Sequence, residues 1–412
     1  MLDRMHQVKK GETIQQIAAM YGVTVEELRA ANPDMSLKND KPKKDTFVCI
    51  PGKKQTVETP IVKDEPEATT KKKDKTVAIG IILPLEEKNE RSSKMLEFYR
   101  GFLMAADSAK RCGAKLEIHT WNIGNGENEA DELISRNRTT LSKMDVIISG
   151  TNEAQTNPIA ELCKENNCRF ILPFVNKTNL NSTNIYHVTA DNTIPAKKAV
   201  AKYIAMYPHK NYIILHSDET DAKGEAMTKS LVEVLGKKGT IARTLDIGGD
   251  DFDFEAALNT FRENCIVPDN ASIKTLNILL SKLNSFTQTY PDYKICLLGY
   301  PEWQTYTSTL LKDFYKYDTY SYCTYYLDPF SEKTENFQKS FANSFGRPLV
   351  TNYPSYGAMG FDLGWYFMGD NTNQEPLQHT FVFERADNSG DMNNVFTQFV
   401  HYMTNEKIEL VK

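Results

Sequence analysis

The sequence predicts an α/β protein, in which a small strand–helix–helix–strand module precedes two successive series of alternating strands and helices. Three observations carry this. Val77–Leu85, VAIGIILPL, is an unbroken apolar run between a lysine-rich tract and the polar loop EEKNERSSK. Such a run, bounded by breakers, reads as a strand buried on both faces. The chain beyond it alternates helical and strand patterns, which implies parallel sheets covered by helices. Ahead of it, residues 5–51 hold a compact strand–helix–helix–strand pattern of their own. In open α/β sheets ligands sit at the carboxyl ends of the strands, so functional residues are expected just after each apolar run.

Composition sets the bounds. The 412 residues leave room for two or three domains. A net charge of −5 gives no support for nucleic acid as a partner. No apolar run approaches the roughly 20 residues needed to span a bilayer. The opening MLDRMHQVKKG lacks the apolar core of a signal peptide. The chain therefore reads either as cytoplasmic or as the mature part of an exported protein whose leader is absent. Seven cysteines form no CxxC pair. They read as scattered free thiols, with a local Cys163–Cys168 bridge as the alternative.

In the first module, His6–Val8 reads as a strand and Lys10–Thr13 as a turn. Thr13 caps a helix through Ile14, Ile17 and Ala18, closed by Tyr21-Gly22. Thr24 to Glu27 has capping-box spacing and opens a second helix through Leu28 and Ala31, which stops at Asn32-Pro33. Phe47–Ile50 is the closing strand, ended by Pro51-Gly52.

This module resembles the LysM family. The matching residues are Val8–Ile14, Ile17-Ala18, Tyr21–Val23, Glu27-Leu28, Asn32-Pro33 and Ile50-Pro51. Two departures are Glu12, where the family commonly has Asp, and the insertion KNDKPKKD before the last strand. LysM modules bind N-acetylglucosamine-containing glycans such as peptidoglycan. The resemblance implies a groove between the loop after the first strand and the loop after the second helix. Its candidates are Gly11, Glu12, Thr13 and Ile14 on one side and Pro33, Asp34, Met35 and Ser36 on the other. The domain boundaries expected are 1–52 for this module, 53–75 for a linker and 76–412 for the rest. The linker mixes Lys, Glu, Thr and Pro with almost no apolar content, so it can form no core. As a flexible coil it would span roughly 25–30 Å.

From Val77 the elements follow in order. Lys94–Ala109 is an amphipathic helix with Met95, Phe98, Phe102 and Ala105-Ala106 on one face. Strands are expected at Lys115–Trp121, Val146–Ile148, Phe170–Phe174 and Tyr186–Ala190, with helices at Glu129–Leu141 and Ile159–Lys164. A second series adds strands at Tyr212–His216, Ile241–Ile247, Cys265–Pro268 and Ile295–Gly299. Its helices are Ala196–Tyr207, Glu225–Leu235 and Leu276–Leu283. The tyrosine-rich alternation from Tyr315 to Tyr326 reads as a strand face, with an interaction surface as the alternative.

This region resembles type 1 periplasmic-binding-fold proteins, the superfamily of leucine-type amino-acid receptors. The resemblance rests on Ile79–Leu85, Phe98–Phe102 with Ala105-Ala106, Val146–Gly150, and Tyr353–Gly357 leading to Gly360–Asp362. It implies a bilobed fold of two Rossmann-like lobes, one at about 77–191 and one at about 192–327, with the C-terminal region shared. A ligand would lie between the lobes. Its candidates are Glu86, Thr151, Asn152, Phe174, Asn176, Asp191, His216, Asp218, Tyr300 and Glu302. Thr151-Asn152 opens a helix, where a carboxylate is favoured. Glu302 or Asp218 could balance an amine, and Tyr300 or Trp303 could stack on an apolar group. Pro173–Asn176 is bulkier than the small hydroxyl-rich turn of the amino-acid receptors.

No catalytic, metal or cofactor constellation emerges. His216 has no HExxH partner, and Gly124-Asn125-Gly126 lacks the third glycine of a dinucleotide fingerprint. The acidic run Asp246–Asp253 lacks an EF-hand pattern and reads as a solvated helix start. The expectation is a non-catalytic, peptidoglycan-binding protein of the periplasm or cell envelope, with no cofactor. Its larger domain senses a small molecule or docks an envelope protein that takes part in wall synthesis. Alternatives are a transport receptor for amino acids or peptides, and a wall hydrolase or amidase.

Overall fold

The computed structural model describes the chain except residues 1, 33–34, 36, 45, 52–75, 87–88, 125, 127, 151, 176–181, 190–192, 250–251, 352, 369–375 and 386–389. The expected linker and the candidates Pro33, Asp34, Ser36, Thr151, Asn176 and Asp191 lie outside the described residues. The rest falls into two units. The first comprises residues 1–188, 327–380 and 385–392; the second comprises 189–326, 381–384 and 393–412.

The first unit opens with β1 (Leu2–Gln7), α1 (Ile14–Tyr21), α2 (Val25–Ala30), β2 (Leu37–Lys38), β3 (Lys41–Pro42) and β4 (Phe47–Pro51). β1 and β4 pair antiparallel. Both helices start on capping boxes, Thr13 with Gln16 and Thr24 with Glu27, so orphan backbone donors are satisfied at each N-terminus. Gly22 ends α1 in the left-handed region, as a C-terminal glycine does. The inserted residues make the β2–β3 hairpin, where Asn39 and Asp40 both take positive φ, 53° and 57°, as a tight two-residue turn requires. Val8, Ile14, Ile17, Ala18, Leu28, Val48 and Ile50 close a small core.

The chain continues through β5 (Val77–Leu83), α3 (Glu90–Arg111), β6 (Leu116–Asn122), α4 (Glu129–Leu141), β7 (Val146–Ile148), α5 (Glu153–Glu165), β8 (Arg169–Leu172) and β9 (Ile185–His187). Parallel pairing gives the order β9-β8-β7-β5-β6. β5 is buried from Ile79 to Leu83, so the apolar run is a central strand.

The second unit begins with α6 (Thr193–Met206), β10 (Asn211–His216), α7 (Ala222–Lys237), β11 (Arg243–Asp246), α8 (Phe254–Ala257) and β12 (Asn264–Pro268). It runs on through α9 (Ile273–Thr289), β13 (Ile295–Gly299), a 3-10 helix at Pro301–Tyr306, α10 (Thr307–Lys316) and β14 (Thr319–Cys323). The chain then returns to the first unit for α11 (Glu332–Phe345) and α12 (Tyr356–Met368). β15 (Phe383–Arg385) and β16 (Met392–Asn394) extend the first sheet beyond β9. β17 (Gln398–Tyr402) and β18 (Ile408–Val411) complete the second, ordered β11-β10-β12-β13-β14-β17-β18. Its first five strands are parallel and the last two pair antiparallel.

α12 lies against α3 at a glycine notch. A Cβ on Gly101 would overlap the Gly357 carbonyl oxygen, and one on Gly360 would overlap the Phe98 carbonyl oxygen. Only glycine lets the two backbones approach this closely. The core around them joins Met104 and Ala105 of α3 to Phe337 and Phe341 of α11 and Ala358 and Phe361 of α12. Asp362 is buried in the same helix and accepts hydrogen bonds from the backbone N–H groups of Leu377, Gln378 and His379, each at 2.8 Å.

Three expectations need correction. The strand expected at Ile241–Ile247 is only Arg243–Asp246, because Ile241 is 90% exposed and lies outside the ladder. The tyrosine-rich segment holds the expected strand, and its alternative, an interaction surface, does not stand for β14, which is buried on both faces with Tyr320 and Tyr322 inside. Nor are all the cysteines free. Cys49 is disulfide-bonded to Cys112, with Cα atoms 5.6 Å apart. Cys163 and Cys168 are free and buried, as are Cys265, Cys296 and Cys323.

Candidate functional sites

In the small module, the loop after β1 is built by the residues expected to line the groove. Gly11 turns the chain at φ +85°. The Glu12 carboxylate accepts from the Lys9 backbone N–H at 2.8 Å and meets His6 Nε2 at 2.7 Å. Burial pushes the Glu12 pKa up, but these two partners and the Lys9 charge outweigh it and leave it below the ordinary value. His6 Nδ1 pairs with the Tyr21 hydroxyl, so the loop is tied to α1. Thr13 spends its hydroxyl on capping α1, Ile14 is fully buried, and Met35 packs half-buried on the module's core. Glu12 reaches both partners with the extra methylene it has over Asp. Asn32, buried after α2, donates to the Leu28 and Cys49 carbonyls and accepts from the Cys49 N–H, all at 2.7 Å. It ties α2 to β4, which gives Asn a structural reason to stand before Pro33.

At the carboxyl edge of the first unit's sheet, Asn122 at the end of β6 accepts from the Leu85 N–H and donates to Glu86 at 3.1 Å. Asn152 caps α5 through the Gln155 N–H. The Phe174 ring meets Phe98 edge-on, with centroids 5.1 Å apart, and lies 5.9 Å from Tyr356. Sequence reasoning passed over His187 at the end of β9. It is buried, with Nε2 3.1 Å from Asp391 and Nδ1 3.2 Å from the Val175 carbonyl.

The second unit concentrates its polar side chains in the same relative place. Asp269, buried after β12, accepts from Ser217 Oγ at 2.6 Å, the Ser217 N–H at 2.9 Å and Thr220 Oγ1 at 2.8 Å. It also lies 3.1 Å from His216 Nδ1. Burial alone would raise its pKa; the Ser217, Thr220 and His216 contacts bring it below the usual value. Asp221 caps α7 and also accepts from the Ala271 N–H. A Cβ on Gly224 would overlap the Asp269 carbonyl, so α7 sits directly on this loop. The result is a rigid frame that orients the half-exposed His216 ring. Beside it lies a shallow, open depression of about 50 Å³, lined by Ser217, Asp218, Asn270, Ser272, Lys274 and Thr275 among others. The structure thus brings Asp218 to this depression and places His216 next to it in the chain.

Tyr300 and Glu302 stand differently. The Tyr300 ring is fully buried, its hydroxyl donates to the Pro268 carbonyl, and its own carbonyl accepts from Ser321. It is a core residue of the second unit. Glu302 pairs with Lys223 of α7. Burial lowers the Lys223 pKa. Asp269 was legible only as the residue after an expected strand, and Lys223 lay just ahead of the helix expected at Glu225–Leu235.

Comparison with known proteins gives two results. Residues 6–51 match the family model described as the LysM domain. No curated protein matches the sequence. Among solved structures, a protein assigned to branched-chain amino acid ABC transport from Rhodospirillum rubrum aligns with a TM-score of 0.58 at 9% identity, covering 82% of this chain and 100% of that chain. The C-domain of LpoA from Haemophilus influenzae, described as a regulator of PBP1A, aligns with a TM-score of 0.52 at 13% identity, covering 81% and 100%. Full-length LpoA from the same organism gives 0.54 at 13%, covering 82% of this chain and 59% of that one. At these identities the likeness speaks for fold. Residues 6–51 thus match the LysM domain, and the larger part of the chain shares the fold of these solved structures, the type 1 periplasmic-binding fold.

Proposed function

We propose that this is a non-catalytic cell-envelope protein that binds peptidoglycan, or another N-acetylglucosamine-containing glycan, through residues 6–51. The larger region docks an envelope partner or senses a small molecule, and through it regulates wall synthesis. The match of residues 6–51 to the LysM domain carries the reading. Two of the solved neighbours are LpoA structures, and one of these is described as a regulator of PBP1A, which supports a protein partner. The Cys49–Cys112 disulfide fits an oxidising compartment and hence the periplasm or cell envelope. The glycan contacts are assigned to the loop Gly11, Glu12, Thr13 and Ile14, through backbone groups, and to Pro33, Asp34, Met35 and Ser36.

A second reading, a small-molecule receptor, is favoured by the polar depression beside the Asp269 frame. In that reading the contacts in the second unit are His216 and Asp218, with Glu302 near Lys223. Glu86, Asn152 and Phe174 stand as candidates within the first unit by itself. Thr151, Asn176 and Asp191 remain candidates by position in the sequence.

Thermal unfolding of the full chain with N-acetylglucosamine oligomers, muropeptides and amino acids tests both. A ligand at about 100 times its Kd adds about 2.7 kcal/mol, which moves a midpoint by several degrees. A shift with the glycans supports the wall reading. A shift with amino acids alone, lost in Asp218→Ala, replaces it with the receptor reading.

A further inference from the structure

The sequence expects the glycan module to hang from residues 53–75 as on a string. The first unit contains attachments that bypass that segment. Cys49 in β4 is bonded to Cys112, the residue that caps the C-terminal end of α3, across 63 residues of sequence. Both side chains are buried. Lys9, in the turn after β1, meets Glu332 in the first turn of α11 at 2.8 Å. One turn along α11, Glu335 is held below its ordinary pKa by Lys339 first and, more weakly, by Lys44 of the small module. The attachment points on the other side are rigid with respect to each other. α3 and α11 share a core through Met104, Ala105, Phe337 and Phe341.

We propose that the flank formed by the C-terminal end of α3 and the N-terminal end of α11 is a docking seat for residues 6–51, closed by the disulfide. The glycan module and this lobe then move as one body, and residues 53–75 do not set the reach of the protein from the wall. The ion pair is too exposed to hold the module alone, since surface pairs contribute little. The covalent bond is the clamp and the charges set the orientation. A glycan bound along the loop 11–14 is then presented to the partner at a fixed angle. This consequence rests on the wall reading; the docking itself does not.

The test uses the full chain with spin labels on genetically encoded residues at Met20, in the small module, and Arg136, on α4. Untreated protein is expected to give one narrow distance distribution. Cys112→Ser combined with Lys9→Glu is expected to widen it at least two-fold, towards the spread of a free linker. Reduction of the unsubstituted chain gives the same widening if the variant folds poorly. A broad distribution in untreated protein, or alkylation of Cys49 and Cys112 without reductant, would overturn the proposal. So would a distribution that stays narrow after both substitutions and after reduction. Binding to wall material together with a broad distribution would retain the wall reading and discard the docking.

Discussion

Asn32 makes three short buried hydrogen bonds that join α2 to β4. Truncation leaves buried carbonyls and an N–H without partners, each costing about 1–3 kcal/mol. Asn32→Ala is therefore expected to lower the module's stability by at least about 2 kcal/mol, read as loss of protection in hydrogen exchange over residues 25–50. An unchanged exchange pattern would remove Asn32 from this role. Further along, His379 and Asp362 give a pH signature. Burial lowers the His379 pKa from 6.5 to about 3, and burial, against three backbone N–H donors, raises that of Asp362 from 3.8 to about 6. The unfolded chain protonates His379 first, so the stability it contributes above 6.5 is lost as pH falls towards 3. Asp362 acts oppositely: the folded chain protonates first, so its contribution is full below 3.8 and is lost as pH rises through about 6. At about 1.4 kcal/mol per unit, His379 alone costs about 3 kcal/mol by about pH 4. His379→Gln should lose less midpoint than the parent between about pH 7 and about pH 4; equal losses would contradict this account.

At the scale of elements, the α3–α12 contact is set by backbone meeting backbone. A methyl group at Gly101 or Gly360 has no side chain to displace, only carbonyl oxygens. Gly101→Ala and Gly360→Ala are each expected to cost about 2–4 kcal/mol, beyond the usual range for overpacking because the backbone must shift. Thermal unfolding of each variant reads this, and a loss below about 0.5 kcal/mol would mean that the helices sit further apart. Much of the element order was legible because buried strands such as β5, β7 and β13 are short apolar runs between breakers. The helices of the small module were legible from Thr13 and Thr24, whose caps formed as expected. β11 was overextended because Ile241 and Ile247 look alike in sequence while only Ile247 is buried. The polar frame was half legible. His216 and Asp218 follow a strand and stood among the expected candidates, but Asp269, which contacts His216, is one acidic residue among many until the fold brings Ser217 and Thr220 to it. Tyr300 was read as a stacking surface because it follows a strand; its hydroxyl reaching Pro268 instead draws the ring into the core.

For the whole molecule, the disulfide had no signature in the sequence, since its partners are 63 residues apart and share no motif. Closing a loop of that length removes unfolded-chain entropy amounting to about 4 kcal/mol. Reduction is therefore expected to lower the unfolding midpoint of the first unit and leave that of the second unchanged. A uniform fall in both would contradict the assignment of the crosslink to the first unit alone.

The most direct test of wall binding is cosedimentation of the full chain with purified peptidoglycan sacculi. The account predicts that the protein pellets with the sacculi, that N-acetylglucosamine oligomers release it, and that Asn32→Ala weakens the pelleting. A protein that stays in the supernatant, or that pellets equally well with Asn32→Ala and with excess oligomer, would contradict binding through residues 6–51.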